Sequence, residues 1–209
     1  MEANDLVAEV ERAFGASTAA GVSWADPHAD RDIRDEEYSR VTDPERYRVI
    51  GARAMAWISA VTELGLATQH SAEVPTWTSE SETSRAIKVT PKAPGALSIV
   101  VVLGWFESDQ ATVASIEVGM PPVTIEMLPV CGCDACDSGS EDLLSSVDGA
   151  FLGIMDGHFL YAEGRDWTIT ATKDGWSGTG SQDFDALVNA ARNGHEIGKR
   201  MLTGARWWS

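Results

Sequence analysis

Arg85–Leu128 reads RAIKVTPKAPGALSIVVVLGWFESDQATVASIEVGMPPVTIEML, and this stretch decides the fold class. It holds four runs rich in Val, Ile and Thr, at Arg85–Thr90, Leu97–Glu107, Thr112–Val118 and Val123–Leu128. Pro91-Lys-Ala-Pro94-Gly95, Ser108-Asp109 and Gly119-Met-Pro121-Pro122 separate them. Partial alternation with short breaks predicts strands joined as an antiparallel meander, because no stretch between them is long enough for a crossover helix.

Helices flank the meander. Leu6, Val7, Val10 and Phe14 share one face of a first helix, over about Asp5–Phe14. Thr42-Asp43-Pro44-Glu45 has the composition of a helix start, with an N-cap candidate, proline in the first turn and a capping-box glutamate. Tyr47, Ile50, Ala54, Trp57, Ile58, Val61 and Leu64 then recur at helical spacing up to Gly65. A third helix follows Ser138-Gly-Ser-Glu141, with Leu143, Leu144, Val147, Phe151, Ile154 and Met155 as its stripe. His158–Glu163 and Asp166–Thr172 read as a hairpin, and a last helix starts near Asp183. Val74–Ser84 reads as a loop. Strands grouped together rather than alternating with helices predict α+β: a meander of about four strands plus a hairpin, packed with three to four helices. The expected organisation is one domain over residues 1–209, with residues 1–41 partly a loop-like N-terminal arm. Trp207-Trp208 is expected to dock on the fold.

The formal net charge is −16, with 44% hydrophobic residues. After Lys92 the next basic residue is Arg165, and eleven acids lie between them. Nucleic acid and anionic membrane are therefore excluded as partners of this half, and a basic protein is the partner class that fits. The longest apolar run, Leu97–Phe106, is half of what a membrane-spanning helix needs. The acidic start, with Glu2, Asp5, Glu9 and Glu11, is unlike a secretory signal. Three cysteines within six residues make a poor disulfide framework, so a cytoplasmic location is expected.

Chemistry concentrates in Cys131-Gly-Cys133-Asp134-Ala-Cys136-Asp137. Cys133 and Cys136 have C-x-x-C spacing, which a turn can fold onto one Zn²⁺, and Cys131 adds a third sulfur. Asp134 and Asp137 are the nearest candidates for a fourth ligand, with Glu163 and Asp166 reaching back from the hairpin, while His158 lies beyond the third helix. Three readings stand: inert packed thiols, a metal site with zinc as the cofactor, and a disulfide or redox pair. Asp134, Asp137, Glu141 and Asp142 surround the thiols and no Lys or Arg is near them in sequence, which opposes thiolate formation. The chain carries no phosphate-binding glycine loop and no nucleophile elbow.

Asp43-Pro44-Glu45-Arg46-Tyr47, Pro129-Val-Cys131-Gly-Cys133-Asp-Ala-Cys136-Asp137 and Gly157-His158-Phe159 together resemble an actinobacterial family catalogued as domain of unknown function 6226. The resemblance spans roughly residues 42–163 and implies a bacterial cytoplasmic protein. It brings no activity or catalytic residue. The sequence thus points to a non-enzymatic binding or interaction protein. The alternative is a metal- or thiol-dependent enzyme centred on Cys131, Cys133 and Cys136.

The lack of any Lys or Arg from Ala93 to Gly164 predicts weak or absent nucleic-acid binding. Filter binding at moderate salt should give no micromolar complex with DNA or RNA, since such affinity needs phosphates to be neutralised.

Overall fold

In the computed structural model, which describes residues 2–74, 83–105 and 111–208, the stretch from Arg85 lies in a five-stranded sheet. The strands are β1 (Ala67–Ala72), β2 (Thr83–Pro91), β3 (Ile99–Trp105), β4 (Val113–Val118) and β5 (Val123–Leu128), paired in chain order. The pairs β2–β3, β3–β4 and β4–β5 are antiparallel, with Val101 opposite Ile87 on one side and Ile116 on the other. In β3 and β4 nearly every side chain is buried, so alternation is lost where both faces are covered. The expected ends at Glu107 and Ser108-Asp109, and most of the loop after Val74, lie outside the described residues.

The chain forms two compact units, residues 1–90 with 98–150 and residues 91–97 with 151–209. In the first, α1 (Ala3–Gly15) packs on α2 (Arg48–Glu63), and α2 packs on β4. The Pro44 start is realised differently from the expectation. Pro44–Tyr47 forms a 3-10 turn before α2, and Asp43 is left-handed with no capping hydrogen bond. The N-cap position falls on Asp43, while the Thr42 amide and hydroxyl both donate to Asp134.

α2 is buried around most of its circumference, including Ile50, Ala54, Trp57, Ile58 and Val61. Arg53, also buried, makes two 2.7 Å hydrogen bonds to the Asp148 carboxylate and one of 2.6 Å to Glu11. Trp57 donates its indole N–H to the same Asp148, at 2.6 Å. Asp148 belongs to α3 (Ser140–Met155), so one carboxylate joins α2 to α3 and Arg53 extends the link to α1. The Arg53 charge is tolerated at this depth because the bidentate Asp148 carboxylate and Glu11 compensate its lost hydration.

The second unit is built on a four-stranded sheet in the order β8 (Trp176–Thr179), β7 (Thr168–Ala171), β6 (Leu160–Glu163), β9 (Arg200–Thr203). α4 (Phe184–Arg192) starts at Asp183, whose side chain accepts from the Ala186 amide, and buries Phe184 and Val188 with Leu160, Ile169 and Ile197. The expected hairpin is β6–β7. β1, β8 and β9 extend the two sheets beyond the expected set. Trp207 and Trp208 are buried, and the Trp207 amide donates to the Met155 carbonyl at 3.0 Å. The fold is α+β, with four α-helices and two antiparallel sheets among the described residues. No helix among them is long and apolar enough to cross a membrane.

Trp57 is fully buried, so Trp57→Ala should cost about 3–5 kcal/mol of stability in urea unfolding. A Trp57→Phe variant keeps most of the apolar contact but leaves part of the Asp148 carboxylate without its indole donor, and should fall between wild type and alanine.

Candidate metal centre

The cysteine loop joins β5 to α3. β5 stops at Leu128, before Pro129. Gly132 takes φ +70°, a left-handed turn that favours glycine, and redirects the chain between the first two cysteines. Cys133 is extended and heads a 3-10 turn over Asp134–Cys136, closed by a 3.0 Å bond from the Cys136 amide to the Cys133 carbonyl. α3 starts at Ser140, inside the Ser138-Gly-Ser-Glu141 run, and side-chain contacts hold its first turn. Ser138 Oγ donates to Asp142, while Ser140 exchanges hydrogen bonds with the Trp24 backbone.

These turns bring the three sulfurs together. Cys131 Sγ lies 3.1 Å from Cys133 Sγ, and all three sulfurs fall within 4.8 Å of one another. All three are free thiols; Cys133 is buried, and Cys131 and Cys136 are exposed. Among the described residues no His, Asp or Glu joins this set at the same spacing. Cys131 is shifted down, because the Cys133 thiol and amide and the Cys136 thiol all stabilise its thiolate. Cys136 is pushed up to about 12 by the hydrogen bonds it gives to Cys131 and Cys133 and by burial. The cluster therefore holds a first thiolate readily and resists carrying three, unless a cation offsets them.

The two aspartates serve the loop in a way that spacing did not reveal. Asp134 accepts from the Thr42 amide and hydroxyl, each at 2.7 Å, and from Arg40 Nε, and its own amide donates to the Arg40 carbonyl at 2.8 Å. Asp137 accepts from the Trp24 indole at 2.8 Å and the Gly139 amide at 3.0 Å, and pairs with Arg46 at 2.7 Å. The Arg46 guanidinium lies 5.1 Å from the Trp24 ring and 5.2 Å from that of Tyr47. His28 Nδ1 is 3.2 Å from the Asp137 carbonyl. Gly139, at φ +86°, leaves room for the Asp26 backbone, whose nitrogen would lie 2.7 Å from an added Cβ. A groove of about 630 Å³ runs beside these contacts, lined by residues 23–26, 138–142 and Ser145.

The sequence suggested that no cation lies near the thiols. The structure adds what spacing hid: Arg40 from the N-terminal arm and Arg46 from the Pro44–Tyr47 turn neutralise Asp134 and Asp137 beside the thiols' loop. The arm is also more structured than a solvated loop. Its Glu37 is buried and held at about 2, first by Arg31 and then by the Arg34 amide. Asp134 is likewise held at about 2: burial raises it, but Arg40 and Thr42 outweigh burial. Glu163 accepts from Tyr161 at 2.7 Å within the second unit, and His158 lies beside Asp156 there.

A depressed carboxylate pKa stabilises the folded state above the ordinary value, near 4, and the contribution disappears as pH falls through the folded value. The Thr42 amide, which donates to Asp134, should keep its NMR position as pH falls from 7 through the ordinary carboxylate range and move as pH falls through about 2. Asp134→Asn should abolish that step and weaken arm docking at pH 7, read as faster amide exchange at Thr42.

No curated protein and no solved structure matches the chain. A family model described as a family of unknown function, DUF6226, matches residues 10–209, which extends the likeness well beyond the stretch around the cysteines and across both units. By that match the chain belongs to the DUF6226 family.

Proposed function

We propose that this is a non-enzymatic binding protein whose working site is the Cys131–Cys133–Cys136 loop, and that the loop holds one thiophilic cation, zinc foremost. The observation that carries the reading is the convergence of three free sulfurs within 4.8 Å. Zn–S bonds of about 2.3 Å set a limit near 4.6 Å for sulfurs sharing one ion, so a small contraction of the loop suffices. Three thiolates suit a soft or borderline cation and not Mg²⁺ or Ca²⁺. The bound ion would neutralise the charge that otherwise keeps Cys136 protonated.

Asp134 and Asp137 act in this reading as positioning residues. Both oxygens of each accept hydrogen bonds from the arm or from the loop backbone, and those bonds fix the backbone on either side of Cys136. Free thiols persist in a reducing compartment, so the reading includes a cytoplasmic location. The acidic stretch after Lys92 favours a basic protein over nucleic acid as any macromolecular partner.

A second reading rests on the 3.1 Å Cys131–Cys133 contact, which suits a redox-active thiol pair. Metal analysis separates the two. Protein purified without chelator or affinity metal should carry about one equivalent of zinc or copper, and its thiols should react slowly with Ellman's reagent until the metal is removed. Less than about a tenth of an equivalent of zinc, copper or iron, with three freely titrating thiols, rejects the metal reading. Cys133→Ser should abolish stoichiometric binding.

A further inference from the structure

Resting on the three-sulfur reading, we propose that the ion's fourth donor comes from outside the chain. The position is exchangeable, filled by water at rest and by an alkyl thiolate when one is offered. The loop is then a binding site for a soft sulfur donor and not a sealed structural knot.

The nearest acids are already committed to other partners. Asp134 Oδ1 accepts from the Thr42 amide, and Oδ2 accepts from Arg40 and the Thr42 hydroxyl. Asp137 Oδ1 accepts from Trp24 and Gly139, and Oδ2 pairs with Arg46. Turning either carboxylate onto an ion would strip a guanidinium of its partner and leave a part-buried donor unsatisfied. Asp137 is buried and its partner Arg46 nearly so, which leaves that donor little water to fall back on; Arg40 is half exposed, so at Asp134 the cost is the loss of three hydrogen bonds to a buried carboxylate.

Exposure gives the direction of the open position. Cys133 faces the interior, while Cys131 and Cys136 are exposed. An ion bound to all three therefore sits at the rim of the loop, with its remaining side toward solvent. Three protein ligands with one position left for water or a ligand is the pattern of reactive zinc sites, whereas structural sites close all four with protein.

Charge decides the class of donor. Read in sequence, four acids around the loop would repel an anion. In the fold Arg40 neutralises Asp134 and Arg46 neutralises Asp137. An incoming thiolate then meets a metal centre whose nearest acids are already matched. With three sulfurs in place the ion is suited to a fourth of the same softness. Binding exchanges the bound water for the thiolate sulfur. The thiol proton leaves to solvent, and no electron changes hands.

The test uses the full chain loaded with cobalt(II), whose sulfur-to-metal charge-transfer bands report the three cysteines independently of the fourth position. Expected are those bands at one equivalent of cobalt, broadening of the ¹⁷O water resonance by the loaded protein, and loss of that broadening on adding 2-mercaptoethanol. The visible ligand-field bands should shift with saturation at about one thiol per cobalt. X-ray absorption on the zinc form should rise from three sulfurs to four in the same titration. A parallel titration with a short cysteine-containing peptide separates the sources. A response to 2-mercaptoethanol alone assigns the site to free small thiols, and a response to both extends it to protein thiols. Charge-transfer bands without water broadening, or without any response to thiol, overturn the open position while leaving the three-sulfur site intact. Absence of the charge-transfer bands overturns the three-sulfur reading and this inference with it.

Discussion

The Asp134 carboxylate is the tie on which the geometry of the loop depends. It is buried, so its charge must be matched or the loop would open to hydrate it. Arg40 and Thr42 supply the match with three donors, and the Asp134 amide returns one bond to Arg40. Cys133 and Cys136 stand on either side of this anchored residue, so the spacing of their sulfurs follows from an ion pair with the arm. Asp137 repeats the arrangement one turn later with Trp24, Arg46 and Gly139. The same logic appears at Asp148, where one acid satisfies Arg53 and Trp57 together. In this chain buried and half-buried acids are joints between segments distant in sequence.

Much of the fold was legible because it rests on apolar periodicity. The α2 stripe, with Trp57 and Ile58, and the strands β2 to β5 carry the side chains that the core requires. β1 was not legible, because ATQHSA offers a polar, mostly exposed face and is held by its place beside β2. β8, with every residue exposed, was hidden for the same reason. β9 contains only four residues, Arg200–Thr203, and is recruited by β6. Edge strands are fixed by backbone pairing, which leaves little trace in side-chain pattern.

The site was half legible. The cysteine spacing gave the three sulfurs, and Gly132 gave the turn. The supporting shell was not readable, because Trp24, His28, Arg40, Thr42 and Arg46 lie some ninety to a hundred and fifteen residues earlier. Local patterns report contacts within a turn or two of the chain, and no local rule ties an arginine to an aspartate at that separation. Arg31 and Arg34 alternate with acids over Asp26–Glu37, a pattern that by itself suits a solvated loop. Nothing in that pattern sets Glu37 apart from its neighbours, yet it is a buried receiver for Arg31 and the Arg34 amide.

The long separation between the arm and the loop also sets an order of events during synthesis. Ninety-two residues separate Thr42 from Asp134. At ribosomal speeds of about 5–20 residues per second, the arm precedes its destination by roughly five to twenty seconds. During that interval Arg40 and Thr42 are hydrated and have no acid of the loop to meet. The thiols, by contrast, emerge into a chain that already contains every residue needed to hold them. The thiol-bearing segment is thus among those with the shortest wait for its partners, and the delay falls on Trp24, His28, Arg40 and Thr42.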